Sequence, residues 1–362
     1  MRVALDEQIF AVQAYGGISR LFYEKASSFM RDPSFGVDLD SLDAPIVNEY
    51  LLADTELAAR LHVTRASGPY RALAHYFARP RRQQSVDVMH NTFYLPRGLS
   101  EHPQSRRVVT VYDMIPELMP KTRRRMDFLT EKHKYVQKAH HIICISESTR
   151  SDLLRLYPEI HTPITIAYPG VGSAFTPDTP RVAGFPEPYV LHIGNRASYK
   201  DGATLLRAFA AISQEFPDHT LFLVGGGPLT RSERDYCSAN GMSGRVEQRS
   251  LADGDVPAVY AQATVTVFPS RYEGFGLPAV EAMASGSPLI LADTSSLPEV
   301  GGRAARYFPP GDDNKLAAVL SEVLSGDSLR RELSALGIEQ AKRFTWAGYA
   351  ASNAIAYQAA LD

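Results

Sequence analysis

Two glutamates flank a short glycine-containing stretch within the segment from Ser270 to Ala284. These residues, Glu273 and Glu281, follow an apolar run at 264–268 that is typical of a buried strand, and Pro278 suits the first turn of a helix, where its missing N–H needs no partner. A strand, a glycine loop and a helix N-terminus together bind anions, because free backbone N–H groups and the helix dipole point at the ligand. Since an ionised carboxylate accepts hydrogen bonds from two hydroxyls, the segment suits a sugar or a ribose.

Two cations lie in a loop that follows the apolar run at 189–193. Arg196 and Lys200 belong to the sequence Gly-Asn-Arg-Ala-Ser-Tyr-Lys-Asp-Gly, which ends at Gly202. An arginine can hold phosphate oxygens through two parallel hydrogen bonds and a lysine adds a point charge, so the pair could stabilise a departing diphosphate without a metal ion. For this loop alone, two exposed cations without a ligand are an equally good interpretation.

The glutamate segment resembles the E-x7-E signature of glycosyltransferase family 4, retaining enzymes of GT-B fold. The likeness extends from Gly16–Ser19 to Phe344–Trp346 and is to mannosyltransferase-like members of bacterial surface polysaccharide assembly. In that family the first glutamate and the amides after it hold the donor sugar, and the second glutamate holds the nucleotide ribose. The resemblance implies a catalytic set of Glu273, Arg196, Lys200 and Asp113 and a donor-binding set of Gly16, Gly17, Arg196, Lys200, Gly226, Ser250, Leu251, Glu273, Gly274, Phe275, Gly276, Leu277 and Glu281.

Some positions depart from the family pattern. Lys200 keeps the family's spacing from the glycine at the start of its loop, whereas Arg196 comes one residue late. Many members carry a histidine where this chain has Tyr112, and that histidine contacts the transferred sugar. His90, Tyr112 and Asp113 are therefore the candidates for the acceptor side, although a hydrogen-bonded structural histidine is the more common role for a residue such as His90.

Short β-branched runs alternate with helical patterns, which predicts an α/β protein with parallel sheets. At 362 residues the chain exceeds the usual size of one domain. The resemblance implies a GT-B fold, in which two Rossmann-like domains face each other across a cleft and a C-terminal helix crosses back to the first domain. The predicted divisions are an acceptor domain at 1–175, a nucleotide-sugar donor domain at 176–345 and the returning helix at 346–362.

The composition excludes several classes of protein. A net charge of -2 gives no reason to expect nucleic acid as a partner, and two cysteines provide neither a disulfide framework nor a metal site. The Gly225–Gly227 run lacks the spacing of a dinucleotide motif, so no cofactor is predicted. Without a leader-like or membrane-spanning run, a cytoplasmic location is expected. Basic clusters at Arg79–Arg82 and Lys121–Lys138 are solvated faces or a peripheral contact with the inner membrane.

The sequence therefore predicts a metal-independent hexosyltransferase. GDP-mannose is the favoured donor by likeness, the acceptor is a glycan or a lipid-linked glycan, and the setting is polysaccharide or lipopolysaccharide biosynthesis. Two alternatives remain open. One is a sugar-nucleotide epimerase of the same fold, and the other is a catalytically inactive donor-binding partner subunit, which the tyrosine at Tyr112 makes conceivable.

Overall fold

The computed structural model describes residues 1–67, 85–96, 98–100, 102–119 and 128–362. The chain divides into two compact units. The N-terminal unit comprises Met1–Gly170 together with Thr345–Asp362, and the C-terminal unit comprises Val171–Phe344. Both are built from parallel strands and helices, which confirms the predicted α/β class.

The N-terminal unit is built on a six-stranded sheet whose strands all run parallel, in the order β2-β1-β5-β6-β7-β8. Its central strands β5 and β7 are buried at every residue, as parallel strands covered by helices on both faces must be. The strands of this unit are β1 Arg2–Leu5, β2 Asp38–Leu39, β3 Pro45–Ile46, β4 Thr64–Arg65, β5 Val88–Asn91, β6 Arg106–Val111, β7 His141–Cys144 and β8 Ile164–Ile166. Its helices are α1 Gln8–Val12, α2 Gly17–Arg31, α3 Glu49–Ala53, α4 Thr55–Arg60, α5 Ile115–Leu118, α6 Phe128–Gln137 and α7 Glu147–Leu156.

The C-terminal unit holds a second six-stranded parallel sheet, in the order β11-β10-β9-β12-β13-β14. The strand order reverses between β9 and β12, and open parallel sheets bind ligands at the carboxyl ends of the strands beside such a reversal. The strands of this unit are β9 Tyr189–Ile193, β10 Thr220–Val224, β11 Val246–Arg249, β12 Val265–Phe268, β13 Leu289–Ala292 and β14 Ala305–Phe308. Its helices are α8 Gly202–Ile212, α9 Arg231–Ala239, α10 Val256–Ala261, α11 Leu277–Ala284, α12 Leu297–Gly301, α13 Asp313–Ser325 and α14 Asp327–Ala341.

The last helix, α15 Trp346–Leu361, belongs to the N-terminal unit. It packs against α2 and strands β6 to β8, and Tyr349 and Tyr357 on it are fully buried. Among the described residues, no helix combines the length and apolar character that crossing a membrane requires.

The predicted basic clusters are only partly described. Residues 79–82 and 121–127 lie outside the described residues. Lys132, predicted as part of the second cluster, is buried: its Nζ lies 2.8 Å from Glu117 Oε1 and donates to the backbone oxygen of Asp113 at 2.7 Å. It therefore adds no charge to an exposed face, whereas Lys138 is exposed.

A buried lysine joins α2 to α15. Lys25 has no exposed surface, and its Nζ lies 3.0 Å from His90 Nδ1, 3.3 Å from Asn353 Oδ1 and 3.9 Å from the ring centre of Phe22. His90 Nδ1 also lies 2.8 Å from the Tyr357 hydroxyl. No ion pair recorded among the described residues includes Lys25, and loss of solvent lowers the pKa of its amine well below 10.5.

We expect Lys25→Met to stabilise the protein at pH 7, by about 1–2 kcal/mol, because it removes a buried ionisable group that lacks a carboxylate partner. The unfolded chain binds more protons than the folded one between the lowered pKa and 10.5, so wild-type stability rises with pH over that range. The gain should therefore shrink as the pH approaches 10.5. Urea unfolding at pH 7 and pH 10 measures the difference in the free energy of unfolding between Lys25→Met and wild type. Lys138→Met is the exposed control, and a variant that is less stable at both pH values by the same amount would show that the hydrogen bonds of Lys25 dominate instead.

Candidate functional site

The reversal point of the C-terminal sheet brings the two predicted segments together. The loop after β9 carries Lys200 and the loop after β12 carries Glu273. Lys200 Nζ lies 2.6 Å from Glu273 Oε1 and 2.9 Å from Oε2, with the two side chains 25% and 14% exposed. A cation predicted to bind phosphate and a carboxylate predicted to bind sugar thus form a half-buried ion pair that solvent still reaches.

The lysine loop is fixed by local hydrogen bonds. Ser198–Lys200 form a single 3-10 turn, and Asp201 follows it in the left-handed region at φ 49°. The Asp201 carboxylate accepts from Arg271 Nε and from the Thr204 hydroxyl, both at 2.8 Å, while the backbone N–H of Arg271 donates to the oxygen of Tyr199 at 2.7 Å. The two loops that hold the ion pair are therefore tied to each other.

The glutamate loop is held by two serines that the sequence analysis missed. The backbone N–H of Glu273 donates to Ser295 Oγ at 2.9 Å. The Ser296 hydroxyl lies 3.0 Å from the backbone oxygen of Glu273 and 2.9 Å from that of Phe275. Both serines directly precede α12. Serines just before a helix often bond to nearby backbone groups, and this position was the signal in the sequence that could have identified them. They fix the backbone from which the predicted sugar-binding amides arise.

The rest of the glutamate segment leads into α11. Gly276 caps this helix with φ 99°, a left-handed conformation that favours glycine, and Leu277 begins it. Glu281 lies in the second turn and is 9% exposed. Gly274 and Phe275 are buried.

A small cavity lies against the ion pair. Its free volume of about 10 Å³ is room for about one water molecule. The sequence analysis did not single out His192 or Ser270, which both line it and are almost fully buried. Burial lowers the pKa of His192, so its ring is neutral near pH 7. The described lining residues are His192, Ile193, Lys200, Phe268, Ser270, Glu273, Gly276, Pro278, Ala279 and Leu297.

Arg196 does not lie with Lys200 and Glu273. It is 8% exposed, and its Nε donates to Glu233 Oε1 at 2.9 Å. Its terminal nitrogens donate to the backbone oxygens of Gly225 and Gly227, each at 3.0 Å. Because most of its N–H groups are used within the protein, this geometry argues against the predicted clamp on a diphosphate. It makes Arg196 a residue that positions the glycine loop after β10.

That glycine loop has a backbone that only glycine adopts readily. Gly225, Gly226 and Gly227 all have φ between 69° and 78°, and a Cβ on Gly226 would lie 2.7 Å from the backbone oxygen of Gly194. The loop is therefore packed directly against the start of the lysine loop. Ser250 and Leu251 follow β11, beside β10 in the sheet, with Ser250 exposed and Leu251 half-buried.

The other predicted residues lie in the N-terminal unit. Gly16 caps the N-terminus of α2 and Gly17 begins it, so their backbone N–H groups belong to a helix start. The Asp113 carboxylate accepts from the backbone N–H of Ile115 at 2.9 Å and is half-buried.

Two acceptor-side candidates are core residues instead. His90 has no exposed surface, and its Nε2 lies 2.8 Å from Thr110 Oγ1 while Nδ1 faces the Lys25 and Tyr357 groups described above. The Tyr112 hydroxyl donates to the backbone oxygen of Thr92 at 2.7 Å, and burial raises the pKa of that hydroxyl well above 10. His90 therefore has the features of the hydrogen-bonded structural histidine that the sequence analysis named as the more common role, with its ring between helices α2 and α15.

A buried carboxylate marks the reversal point of the N-terminal sheet, between β1 and β5. Asp6 accepts from Gln8 Nε2 and Asn91 Nδ2, each at 2.6 Å, and from the backbone N–H of Thr92 at 2.9 Å. Burial nevertheless raises the pKa of Asp6. The sequence analysis missed it, although an acidic residue directly after a first strand was a usable signal.

Asp38 and Asp40, two positions apart in the sequence, each form an ion pair. Asp38 pairs with Arg60 and Asp40 with Arg2, each at 2.7 Å. Within the described ranges, no group of three or more His, Cys, Asp or Glu side chains is arranged to hold a metal ion.

Comparison with known proteins agrees with these motifs. Residues 179–340 match the model of the family described as glycosyl transferases group 1. The O-antigen chain mannosyltransferase B of Escherichia coli is 31% identical over 275 residues, which cover 70% of this chain and 69% of the relative. The MMP alpha-(1->4)-mannosyltransferase of Mycolicibacterium hassiacum is 30% identical over 304 residues, covering 77% of this chain and 72% of the relative.

Solved structures agree in fold. The sucrose-phosphate synthase from Thermosynechococcus elongatus superposes with a TM-score of 0.71 at 21% identity, covering 99% of this chain and 98% of that one. WaaG, a glycosyltransferase involved in lipopolysaccharide biosynthesis, superposes with a TM-score of 0.69 at 15% identity, covering 97% and 98%. These likenesses show the GT-B fold. The two relatives show that the chain belongs to the group 1 glycosyl transferases, the glycosyltransferase family 4 of GT-B fold.

Proposed function

We propose that this chain is a retaining hexosyltransferase that moves mannose from GDP-mannose to a glycan or a lipid-linked glycan. Relatives named as mannosyltransferases support the choice of sugar, among them the O-antigen chain mannosyltransferase B and the serotype-specific mannosyltransferase WbdA of Escherichia coli. The same names favour a role in polysaccharide or lipopolysaccharide biosynthesis.

The ion pair between Lys200 and Glu273 is the observation that carries this proposal. A nucleotide sugar has a dianionic diphosphate joined to a polyhydroxylated ring, and the site offers a cation next to a carboxylate within hydrogen-bond distance. A bound diphosphate attracts Lys200, and Glu273 then has both oxygens available for sugar hydroxyls. The α11 N-terminus, directly after the glutamate loop, adds the positive end of a helix dipole.

The chemistry proposed for the site is charge stabilisation. The leaving diphosphate gains negative charge as its bond to the sugar breaks, and Lys200 stabilises that charge more in the transition state than in the ground state. Glu273 faces a sugar that becomes cationic. Retention follows if the departing phosphate oxygen takes the acceptor proton on the same face of the sugar, so no side chain has to act as a covalent nucleophile.

Transfer assays with a panel of GDP-, UDP- and dTDP-hexoses and a mannose-terminated acceptor test the proposal. We expect a glycosylated product with GDP-mannose. Calorimetry with the corresponding free nucleoside diphosphates identifies the base independently. Quantitative conversion of the donor to an isomer without any acceptor would support the epimerase, and donor binding without turnover on every acceptor would support the inactive subunit.

We expect EDTA to leave the transfer rate nearly unchanged. Lys200 and the start of α11 supply positive potential where a metal ion would otherwise screen the diphosphate. Initial rates in excess EDTA are compared with rates in added Mg²⁺ or Mn²⁺. Activity that appears only with added metal would contradict metal independence.

We also propose that the chain works in the cytoplasm, with peripheral contact to the inner membrane through basic residues at 79–82 and 121–138. With Lys132 buried, this contact rests on the remaining cations of those segments. Co-sedimentation with vesicles containing anionic lipid, compared at low and high salt, tests it. If the protein sediments equally with neutral vesicles, the proposed electrostatic contact with anionic lipid is contradicted.

A further inference from the structure

A buried hydroxyl lines the small cavity beside Lys200 and Glu273. Ser270 lies two residues after β12 and is 1% exposed. Its Oγ has no hydrogen-bond partner among the described residues. Burying a hydroxyl without a partner costs free energy, so such a group in a folded protein calls for a reason, and an absent ligand atom is one of them.

The position of Ser270 distinguishes it from another unpartnered serine. Ser285 in the same unit is 2% exposed, and its Oγ also has no partner among the described residues. Ser285 follows the end of α11 and does not line the cavity. An unpaired hydroxyl alone therefore does not mark a site. The hydroxyl of Ser270 is distinctive because it shares a cavity with the ion pair.

The cavity favours one kind of ligand atom. Apart from the ion pair, the described lining is largely apolar, with Ile193, Phe268 and Leu297 among its residues. His192 is occupied by the backbone, since its Nδ1 lies 3.0 Å from the oxygen of Val267. A free volume of about 10 Å³ admits a single oxygen and excludes a whole sugar ring or a phosphate. The atom that Ser270 receives must therefore project from a larger ligand held outside the cavity.

We propose that Ser270 is a specificity-determining residue whose Oγ hydrogen-bonds one hydroxyl of the transferred hexose. This inference rests on the proposed function, since it requires a hexose next to Glu273. The hexose ring stays at the ion pair while one hydroxyl reaches into the cavity. A site that hydrogen-bonds a substrate hydroxyl discriminates strongly against the analogue that lacks it, because a buried polar group is then left unpaired.

Deoxy donors and two serine variants test the inference. The nucleotide hexose that the wild-type chain uses fastest is compared with its monodeoxy analogues for wild type, Ser270→Ala and the control Ser285→Ala. We expect Ser270→Ala to lower kcat/KM for the parent donor roughly two- to tenfold, the range for one neutral hydrogen bond. The wild type should reject one deoxy analogue more strongly than the others, and Ser270→Ala should lose that discrimination. Ser285→Ala should behave as wild type with every donor.

Thermal unfolding without ligand separates a binding role from a structural one. Both alanine variants remove an unpaired buried hydroxyl, so both should unfold at the wild-type temperature or above it. A Ser270→Ala variant with a lowered Tm and equal losses for all donors would make Ser270 structural. If Ser270→Ala leaves kcat/KM and the discrimination between donors unchanged, the cavity holds a buried water rather than a sugar hydroxyl, and the inference is overturned. A wild-type chain inactive with every nucleotide hexose contradicts the proposed function and the inference together, whereas an active wild type matched by Ser270→Ala contradicts the inference alone.

Discussion

Glu273→Gln should lower kcat about a hundredfold while donor Kd changes less than tenfold. The substitution keeps the volume of the side chain but removes the charge that faces a sugar becoming cationic, so the loss is concentrated in the transition state. In the free protein the glutamate neutralises Lys200 at 2.6 Å, and glutamine releases that cation. Free nucleoside diphosphate should therefore bind at least as tightly to the variant as to wild type.

Glu281→Gln is the matched comparison for this experiment. The same chemical change in α11 should weaken the donor and the free nucleoside diphosphate alike, by about ten- to a hundredfold, which is the usual loss for one charged hydrogen bond to a ribose. Steady-state kinetics and calorimetry resolve the two patterns. If Glu273→Gln impairs binding of the free nucleoside diphosphate as severely as Glu281→Gln, the assignment of sugar and ribose to the two carboxylates is wrong.

Lys200→Ala should weaken donor binding and slow transfer together. The proposed role of the ammonium on the diphosphate serves both the ground state and the leaving group, so kcat/KM should fall by at least a hundredfold, with part of the loss in Kd. Lys342→Ala provides a control in the same unit, because that side chain is 66% exposed and pairs at the surface with Glu339. If Lys200→Ala has wild-type kinetics, the assignment of the donor diphosphate to this loop is wrong.

A double variant separates the contribution of the ion pair to stability from its contribution to transfer. In Lys200→Ala the Glu273 carboxylate, 14% exposed, loses its cation in the free protein. Adding Glu273→Gln removes that unpaired charge, so the double variant should unfold at a higher temperature than Lys200→Ala while its transfer rate stays low. Because solvent screens the pair, the difference in stability should be below about 1 kcal/mol.

The sequence predicted the central strands well because their signal is local. An apolar β-branched run is enough to predict a buried strand, and the runs at 189–193 and 264–268 correspond to β9 and β12. The missed strands lie toward the sheet edges. β11 has the sequence Val-Glu-Gln-Arg and is half-buried throughout, and β2 has only two residues, so neither offers a periodic pattern.

The site was predictable where function depends on spacing and unpredictable where it depends on distant partners. The segments of Lys200 and Glu273 were identified separately, and their contact follows from the strand order, which no local pattern encodes. Arg196 was assigned to phosphate from its loop and the family resemblance, neither of which indicates Glu233, the partner that lies 37 positions further along the chain. The burial of His90 depends on Tyr357, 267 positions away, and no reading of its own strand could show that enclosure.

The placement of α15 has a consequence for the order in which a ribosome-bound chain acquires its structure. The core of the N-terminal unit includes Tyr349 and Tyr357, which are synthesised after every residue of the C-terminal unit. Domains generally fold as units in the order of synthesis, and here the unit that emerges first is completed last. Until the final turns of α15 leave the ribosome, Lys25 and His90 lack their partners on that helix, and the surface that α15 covers in the N-terminal unit stays uncovered.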